Sequence, residues 1–279
     1  MTGARRARTR FAGRRAIVTG ASRGIGAAIA RRLAADGADV AITARTMDSH
    51  PALPGSLHET ADGLAGFGGR VGIVQADLGD ADQRATIVEC AVDQLGGPID
   101  ILVNNAAVAI YQPLGDYPLK RRRLTFEVNT HAPMDLAQMV LPSMVERGEG
   151  WIVNISSATA DRWEPPFALG SLGATTGIYG ASKAALNRLS NALAAEFAGT
   201  GVRINTVEPR SAVLSEGAEA LVGTILRPDQ IEAMEEMVEA VVALCDCPPE
   251  RSGLDHVSLE LIAELGLDVR GLDGEPWQR

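Results

Sequence analysis

The sequence is poor in aromatic residues and in cysteine. Phe, Trp and Tyr make up 4% of the 279 residues, so a buried core has to be built mainly from aliphatic side chains. The three cysteines are Cys90, Cys245 and Cys247, and only the last two form a Cys-x-Cys pair. This number and spacing fit neither a disulfide framework nor a zinc site, so we expect free thiols and no metal centre.

The chain also lacks long apolar segments and an excess of positive charge. No apolar run is long enough to cross a bilayer, and none follows a charged start as in a secretory signal. A formal net charge of −9 argues against a nucleic-acid-binding surface. We therefore expect a cytoplasmic protein with no membrane and no nucleic-acid partner. Residues 1–10 carry four arginines and are predicted to form a disordered basic tail, with contact to an anionic partner as the alternative.

A glycine-rich turn joins the first predicted strand to the first predicted helix. Small and β-branched residues at 16–19 predict the strand, and an alanine-rich helical pattern follows the turn. Gly20 allows an unusual backbone angle, Gly24 lets the main chain approach a pyrophosphate, and Gly26 lets the helix pack closely on the sheet. The turn is thus a candidate phosphate site at a helix N-terminus, and a plain tight turn is the alternative.

The end of the second predicted strand bears on the choice of cofactor. The first helix closes at Gly37 and a buried strand follows at 40–43, which makes a β-α-β unit and implies a parallel sheet. Sites that prefer NAD usually place an acidic residue at the end of this strand, where it binds the ribose 2′-hydroxyl. This strand ends at Ala44 and Arg45, and a guanidinium attracts a 2′-phosphate. The sequence therefore favours NADP over NAD, unless Arg45 is only a solvated loop residue.

The rest of the pattern predicts strands and helices in alternation. Predicted strands cover 71–74, 99–103, 151–155, 202–207 and 256–261, and predicted helices cover 81–95, 118–147 and 231–244. Between residues 46 and 69 we expect a loop and a modest helix. Polar residues follow two of the strands, and loops beyond the carboxyl ends of parallel strands are where α/β proteins place their chemistry.

Tyr179 and Lys183 stand four residues apart at the start of a predicted helix, so their side chains share one face. A tyrosine with a pKa of about 10 is a poor base at neutral pH. Two unit charges about 4 Å apart at an effective dielectric of about 20 interact by roughly 4 kcal/mol, a ceiling of about three pKa units. The spacing therefore predicts that Lys183 lowers the Tyr179 pKa and makes the phenol a usable general acid or base.

Three motifs, taken in order, resemble those of the short-chain dehydrogenase/reductase family. They are Thr19-Gly20-x-x-x-Gly24-Ile25-Gly26, Asn104-Asn105-Ala106 and Tyr179-x-x-x-Lys183, and the resemblance spans roughly residues 14–210. It implies an α/β fold of the single-domain Rossmann type over residues 11–279. Such a fold is a doubly wound parallel sheet of about seven strands with helices on both faces.

The resemblance also implies an active site. Ser157 matches the family's catalytic serine, which hydrogen-bonds the substrate oxygen, and Tyr179 exchanges a proton with that oxygen. Lys183 lowers the tyrosine pKa and binds the nicotinamide ribose. Asn129 matches the asparagine that holds a water linking the lysine to solvent, and a structural amide bonded to nearby backbone is the alternative. The four histidines stand in no recognisable triad context, so a serine hydrolase is not supported.

The cofactor contacts implied by the resemblance are spread along the chain. They are Gly20, Ser22, Arg23, Gly24, Ile25, Gly26, Arg45, Asp77, Leu78, Asn105, Tyr179, Lys183 and Pro209. Arg23 would face the same ribose as Arg45, so that two guanidiniums hold the 2′-phosphate. Asp77 would contact the adenine. Capping of the next helix is the alternative for Asp77, and Asp80 is an equally good candidate for that cap.

A long loop beside the catalytic serine departs from the family pattern. Residues 158–178 form an insertion that the family commonly lacks. We expect it to shape the substrate pocket, with Trp163 and Phe167 as candidate walls, or to pack on a partner subunit.

The region after the sixth strand departs as well. Residues 210–250 are expected to form a substrate-side helical region. Within it, Arg210 and Leu214 replace the glycine and the threonine that the family usually has, which puts the contact to the nicotinamide carboxamide in question.

Two hypotheses about function result. The first is an NADP-dependent short-chain oxidoreductase that transfers a hydride between nicotinamide and a small-molecule carbonyl or secondary alcohol, working as a homodimer or homotetramer. The second is a non-catalytic NADP-binding sensor or scaffold, suggested by the two departures after the sixth strand.

Overall fold

The structure is a computed structural model that describes residues 10–49, 53–167, 172–215 and 231–278. Within these residues the strands are β1 Arg15–Thr19, β2 Asp39–Ala44, β3 Val71–Gln75, β4 Ile101–Asn104, β5 Gly150–Ile155, β6 Val202–Glu208, β7 Ala212–Val213, β8 Ile231–Glu232 and β9 Asp255–Val257. The main sheet has seven parallel strands in the order β3-β2-β1-β4-β5-β6-β9. Strands β7 and β8 pair with each other, also in parallel.

The described helices alternate with these strands. They are α1 Gly24–Ala35, α2 Leu57–Leu64, α3 Ala81–Leu95, α4 Leu119–Phe126, α5 Ala132–Arg147, α6 Gly177–Glu196, α7 Met234–Leu244 and α8 Ser258–Leu265. A π-helical turn, Glu127–His131, joins α4 to α5. Short 3-10 turns occur at Ala65–Phe67, Leu114–Asp116, Ala158–Ala160 and Leu172–Ala174. None of the described helices is long and apolar enough to cross a membrane.

Helices cover both faces of the sheet, because successive residues of each central strand point to opposite sides. In β4, Ile101 and Val103 belong to the aliphatic cluster under α1, α2, α7 and α8, whereas Leu102 belongs to the cluster under α3, α5 and α6. This arrangement confirms the doubly wound α/β fold that the sequence predicts. The thiols of the three cysteines are free, and Cys245 and Cys247 are buried in the first cluster.

The strand order reverses between β1 and β4. The chain builds β2 and β3 on one side of β1 and then β4, β5 and β6 on the other. In open parallel sheets a ligand binds at such a reversal, in the crevice outside the carboxyl ends of the strands. This edge carries the glycine turn, the asparagines at the end of β4 and the serines after β5.

The last strand of the sheet is shorter than predicted. The sequence predicts a strand over 256–261, but only Asp255–Val257 pairs with β6, and α8 begins at Ser258. The buried positions of α8 are Ser258 and Leu261, three residues apart, which is a helical period. The apolar residues alternate as in a strand, but the segment is too short for its pattern to distinguish the two-residue repeat of a strand from the repeat of a helix.

The helices around the site also differ from their predicted bounds. The helix predicted over 231–244 starts at Met234, because Ile231 and Glu232 pair with Ala212 and Val213. The helical region predicted over 118–147 is divided by the π-helical turn. The helix over 81–95 has its predicted bounds, and the loop and modest helix expected between residues 46 and 69 are confirmed by α2.

Parts of three predicted segments lie outside the described residues. These parts are 1–9 of the basic tail, 168–171 of the 158–178 insertion and 216–230 of the 210–250 region. The last residue predicted in the tail, Arg10, is described, and it is not disordered. Its guanidinium pairs with Asp246 at 2.7 Å and lies 3.7 Å from Glu239.

Candidate active site

The glycine turn has the geometry of a phosphate cradle. The φ angle of Gly20 is +66°, and a Cβ at this residue would lie 2.7 Å from the Cα of Ala106. A Cβ at Gly26 would collide with the carbonyl of Gly20 and the amide of Asn105. Helix α1 starts directly behind the turn, and its N-cap, Arg23, offers no side-chain acceptor to the first backbone N–H groups. These N–H groups and the helix dipole face the edge where an anion would bind.

Asn105 holds the turn in place. Its Nδ2 donates to the carbonyls of Thr19 at 2.9 Å and Gly20 at 3.3 Å, and its own backbone N–H donates to Thr19 Oγ1 at 3.0 Å. The side chain is therefore used to fasten β4 to β1. Asn104, its neighbour, donates to Asn154 Oδ1 at 2.8 Å and ties β4 to β5 in the same way.

The two arginines predicted to share a phosphate are held differently. The Nε of Arg23 donates to the carbonyl of Pro54 and its Nη2 to the carbonyl of Gly55, both at 2.8 Å. These two hydrogen bonds anchor the Arg23 guanidinium to the loop before α2. The Arg45 side chain is 64% exposed, and its Nη1 lies 4.0 Å from Asp77. The structure thus leaves Arg45, rather than Arg23, as the more accessible cation at the end of β2.

Asp77 and Leu78, the two cofactor contacts predicted after β3, have different surroundings. Asp77 accepts the backbone N–H of Gly79 at 2.9 Å, whereas Asp80 caps α3 by accepting the N–H groups of Asp82 and Gln83. The capping alternative for Asp77 is therefore wrong. Leu78 is 8% exposed and belongs to the aliphatic cluster under α3, α5 and α6.

The structure brings Ser157, Tyr179 and Lys183 together at the carboxyl end of β5. Ser157 follows the strand, and Tyr179 lies in the first turn of α6, near enough to the Ser157 hydroxyl for that group to lower the pKa of the phenol in part. Lys183 lies one turn later. Its Nζ is 6.0 Å from the centre of the Tyr179 ring and donates to the Ile155 carbonyl at 2.6 Å. A phenol, a hydroxyl and an amine thus lie at the carboxyl edge of the sheet. The spacing predicted that Lys183 lies near Tyr179, and the family resemblance implied Ser157.

The expected lowering of the tyrosine pKa is not found. Burial raises the pKa of the Tyr179 phenol above its usual range, and the nearby Tyr111 and Glu208 raise it further. Burial also lowers the pKa of Lys183, which is 2% exposed, to about 8. The sequence argument compared only two charges, whereas desolvation acts on both groups in the direction of their neutral forms.

Asn129 lies at the centre of the π-helical turn, a distortion found frequently at functional sites. Its Oδ1 accepts the N–H of Val108 at 2.7 Å, and its Nδ2 donates to the Val108 carbonyl and to Ser182 Oγ, both at 3.0 Å. Ser182 in turn donates to the Tyr179 carbonyl at 2.6 Å. These are the contacts of the structural amide that was the alternative, and its link to a water remains a prediction.

Two residues at the site were not identified from the sequence. The ring of Tyr111 lies 5.8 Å from that of Tyr179, at an interplanar angle of 60°. The chain has three tyrosines, and this scarcity could have pointed to Tyr111 as a candidate site residue. Glu208 is the last residue of β6, and burial raises the pKa of its carboxyl to about 7. It stands next to Pro209, a predicted cofactor contact, but a single acidic residue at a strand end carries no pattern.

The candidate pocket walls in the insertion are accessible. Trp163 is 49% exposed and Phe167 69% exposed. A Cβ on Gly173 would clash with the Trp163 ring, so the indole lies against this backbone. The insertion reaches the loop after β4 as well, through a hydrogen bond from the Gln112 N–H to the Thr175 carbonyl at 2.9 Å.

Arg210 and Leu214, the two departures from the family pattern after β6, lie on either side of β7, which pairs with β8. The N–H of Arg210 donates to Glu232 Oε2 at 3.0 Å, and Ser258 Oγ donates to the same oxygen at 2.7 Å. The chain then reaches Leu214, which lines a groove of about 530 Å³ together with Ser22 and Gly24 of the glycine turn. Leu214 therefore faces the N-terminal end of α1 without a hydroxyl to offer.

Known proteins share both the sequence and this architecture. Residues 14–221 match the family model of the short chain dehydrogenases. The chain is 35% identical over 201 residues to the ketoacyl reductase HetN of a Nostoc species, covering 72% of this chain and 64% of that protein. It is 31% identical over 264 residues to hydroxysteroid dehydrogenase-like protein 2 of Xenopus tropicalis, covering 92% and 60%. The chain spans less than two thirds of the length of either relative.

Solved structures agree with this similarity. A short chain dehydrogenase from Mycobacterium thermoresistibile superposes with a TM-score of 0.79 at 29% identity, over 92% of this chain and 89% of the other. A 3-oxoacyl (acyl-carrier-protein) reductase from Agrobacterium tumefaciens C58 with NADP bound superposes with a TM-score of 0.74 at 30% identity, over 88% and 93%. The chain belongs to the short-chain dehydrogenase/reductase family of oxidoreductases.

Proposed function

We propose that the protein is an NADP-dependent oxidoreductase that transfers a hydride between nicotinamide and a small-molecule carbonyl or secondary alcohol. The observation that carries this proposal is that Ser157, Tyr179 and Lys183 lie together at the same edge of the sheet as the glycine turn. Members of a hydride-transferring family need a proton donor and a hydrogen-bonding hydroxyl at one carbonyl oxygen, and these side chains supply both.

The residues present fit a dinucleotide. The turn at Gly20 and Gly26 leaves backbone space that any Cβ would fill, and the first N–H groups of α1 have no side-chain cap. The exposed guanidinium of Arg45 suits a 2′-phosphate. When bound, the nicotinamide supplies or accepts the hydride. The NADP bound to the Agrobacterium reductase supports the same choice of cofactor for this chain.

The protonation states favour Tyr179 as the proton donor. Because burial raises its pKa, the phenol is neutral at pH 7 and can give its proton to a carbonyl oxygen as that oxygen gains charge. Lys183, with a pKa of about 8, is mostly protonated at pH 7 and stabilises the phenolate that remains. Ser157, which lies near Tyr179, orients the same oxygen. This arrangement supports reduction more directly than oxidation.

The substrate class is a carbonyl compound with an apolar portion. The relatives are named for ketoacyl and hydroxysteroid chemistry, both of which act at a ketone or secondary alcohol. The exposed faces of Trp163 and Phe167 supply apolar surface beside the site. We also propose that the protein works in the cytoplasm as a homodimer or homotetramer. Size-exclusion chromatography with light scattering tests the number of subunits.

A thermal-shift screen with NADPH, NADP, NADH and NAD, followed by a carbonyl panel with the preferred nucleotide, tests the proposal. We expect the largest stabilisation with the phosphorylated cofactors and oxidation of NADPH with at least one ketone. Equal shifts with NADH and NADPH would contradict the cofactor choice.

A second candidate, a non-catalytic NADP-binding sensor or scaffold, has one observation in its favour. Leu214, which lines the groove, and Arg210, whose backbone N–H donates to Glu232, replace the residues that the family usually has. NADPH stabilisation without hydride transfer to any carbonyl in the panel would support this candidate.

A further inference from the structure

The ring of Tyr111 lies beside the proposed proton donor. Tyr111 is half-buried in the loop that follows β4, at the edge where the strand order reverses. The centre of its ring is 5.8 Å from the centre of the Tyr179 ring, and the two planes are inclined by 60°. Aromatic rings at such a separation pack against each other, so no substrate group fits between them. Tyr111 therefore closes one side of the space next to the Tyr179 phenol.

Hydrogen bonds on both sides of Tyr111 fix the backbone that carries this ring. The Tyr117 hydroxyl donates to the carbonyl of Ile110 at 3.2 Å. The N–H of Gln112 donates to the carbonyl of Thr175 at 2.9 Å. The residue before Tyr111 is thus held from within the loop, and the residue after it is held by the segment that leads into α6.

One buried amide links the Tyr111 loop to the helix that carries Tyr179. Asn129, which is fully buried, accepts the N–H of Val108 at 2.7 Å and donates to Ser182 Oγ at 3.0 Å. Ser182 in turn donates to the Tyr179 carbonyl at 2.6 Å. Because both rings stand on segments that are tied to the same side chain, the fold itself sets the distance between them.

The segment after β5 borders Tyr179 as well, and it leaves apolar surface open. It packs against α6 at Gly180, where a Cβ would collide with the Thr159 carbonyl. It then continues into the 158–178 insertion, in which the side chains of Trp163 and Phe167 are exposed. A large apolar group therefore finds surface along the insertion, whereas the Tyr111 ring obstructs such a group.

We propose that Tyr111 is a specificity-determining residue, whose ring limits one of the two substituents on the substrate carbonyl to a small group. This role rests on the proposed hydride-transfer function. A ketone that takes the Tyr179 proton places its oxygen at the phenol, so its two substituents point in different directions from that contact. The smaller substituent lies against Tyr111, and the larger, apolar one lies along the insertion. The preferred substrates are therefore unsymmetrical ketones or secondary alcohols that react near one end of an apolar chain.

The experiment measures kcat/KM for the reduction of 2-octanone, 3-octanone and 4-octanone with the preferred nucleotide, by the wild-type chain, Tyr111→Ala and Tyr111→Phe. The three ketones have one composition, and their smaller substituent grows from methyl to propyl. The wild type should prefer 2-octanone to 4-octanone. Tyr111→Ala should shift this ratio towards 4-octanone by at least about tenfold, the scale on which a pocket discriminates one methylene. Tyr111→Phe is the matched control, because it keeps the ring and should keep the wild-type ratio.

The ratio of two ketones within one variant does not depend on the active fraction of the protein, so a loss of stability alone leaves it unchanged. Tyr111→Val also lacks the ring and replaces Tyr111→Ala if that variant does not fold. The proposal is overturned by an unchanged ratio in the variant without the ring, by an equal shift in Tyr111→Phe, or by a wild type without preference for 2-octanone.

The failure of this role is distinguishable from the failure of the proposed function. A wild-type protein that reduces no ketone of the panel would remove the proposed function together with the role of Tyr111. Reduction of other ketones without reduction of 2-octanone, or turnover with one ratio in all variants, would remove the role alone.

Discussion

The amine of Lys183 lies 6.0 Å from the centre of the Tyr179 ring and donates to the Ile155 carbonyl at 2.6 Å. The lysine is thus anchored to the strand that leads to Ser157, while its charge stays within range of the phenol. Burial nevertheless decides both protonation equilibria, since it raises the tyrosine pKa and lowers the lysine pKa. The site is therefore built around a protonated phenol.

The first prediction concerns cofactor selection by Arg45. We expect Arg45→Ala to weaken NADPH binding by about tenfold, or about 1.4 kcal/mol, because one charge-assisted contact to the 2′-phosphate is lost. Binding of NADH should not change. Arg23→Ala is the matched control and should weaken both nucleotides equally, because Arg23 anchors the loop at Pro54 and Gly55. Fluorescence titration measures both affinities, and an NADPH affinity unchanged in Arg45→Ala would contradict the assignment.

The second prediction concerns the glycine turn. A methyl group at Gly26 collides with the Gly20 carbonyl and the Asn105 amide, so Gly26→Ala should lower the free energy of unfolding by about 1–3 kcal/mol. It should also abolish stabilisation by NADPH. Gly66→Ala is the control, because a Cβ at Gly66 meets no atom within 4 Å. Chemical denaturation with and without NADPH tests both effects, and equal behaviour of the two variants would be a contradiction.

The third prediction is a pH dependence of stability caused by Lys183. Its pKa is about 8 in the folded protein, whereas a lysine in the solvated, unfolded chain has an ordinary pKa of 10.5. The unfolded chain therefore binds more protons between these pH values. The free energy of unfolding should rise with pH across this window, by on the order of 3 kcal/mol. Lys183→Met should lack this rise in urea titrations at successive pH values. A rise of equal size in the variant would show that another group is responsible.

The fourth prediction concerns a buried ion network that joins α1 to α7. Arg32, which is 1% exposed, bonds Asp36 at 2.9 Å and Glu239 at 2.8 Å. Glu239→Ala should cost about 3–5 kcal/mol of unfolding free energy, because it leaves a buried charge without one partner. Asp246→Ala removes the nearer of the two carboxylates beside the more exposed Arg10 and should cost at most about 1 kcal/mol. Similar losses for both variants in denaturant titrations would contradict this interpretation.

Local patterns in the sequence predicted the parts of the fold that local physics determines. The glycine spacing located the turn between β1 and α1, and Asp80 with Gly96 bounded α3 at its predicted ends. The strand at 256–261 was predicted wrongly because its apolar residues fit the repeat of a strand and that of a helix equally well. The end of the strand is set by its pairing with β6, which the sequence pattern does not reveal. The partners of Arg23 come from the loop at residues 54 and 55, a distant contact that no spacing reveals.

The electrostatics of the site were the least predictable part. Four-residue spacing placed Lys183 near Tyr179, but the sign of the tyrosine shift depends on burial, which the sequence does not state. Glu208 was missed for the same reason, since its influence comes from β6 lying beside β5 rather than from a motif.

Turnover by Tyr179→Phe tests the central claim most directly. NADPH oxidation with the best ketone of the panel is measured for wild type and variant, with the NADPH thermal shift measured in parallel. The account predicts a loss of at least about 100-fold in kcat with the thermal shift retained, because the substitution removes only the hydroxyl group that donates the proton. A Tyr179→Phe variant that keeps the wild-type rate would contradict it.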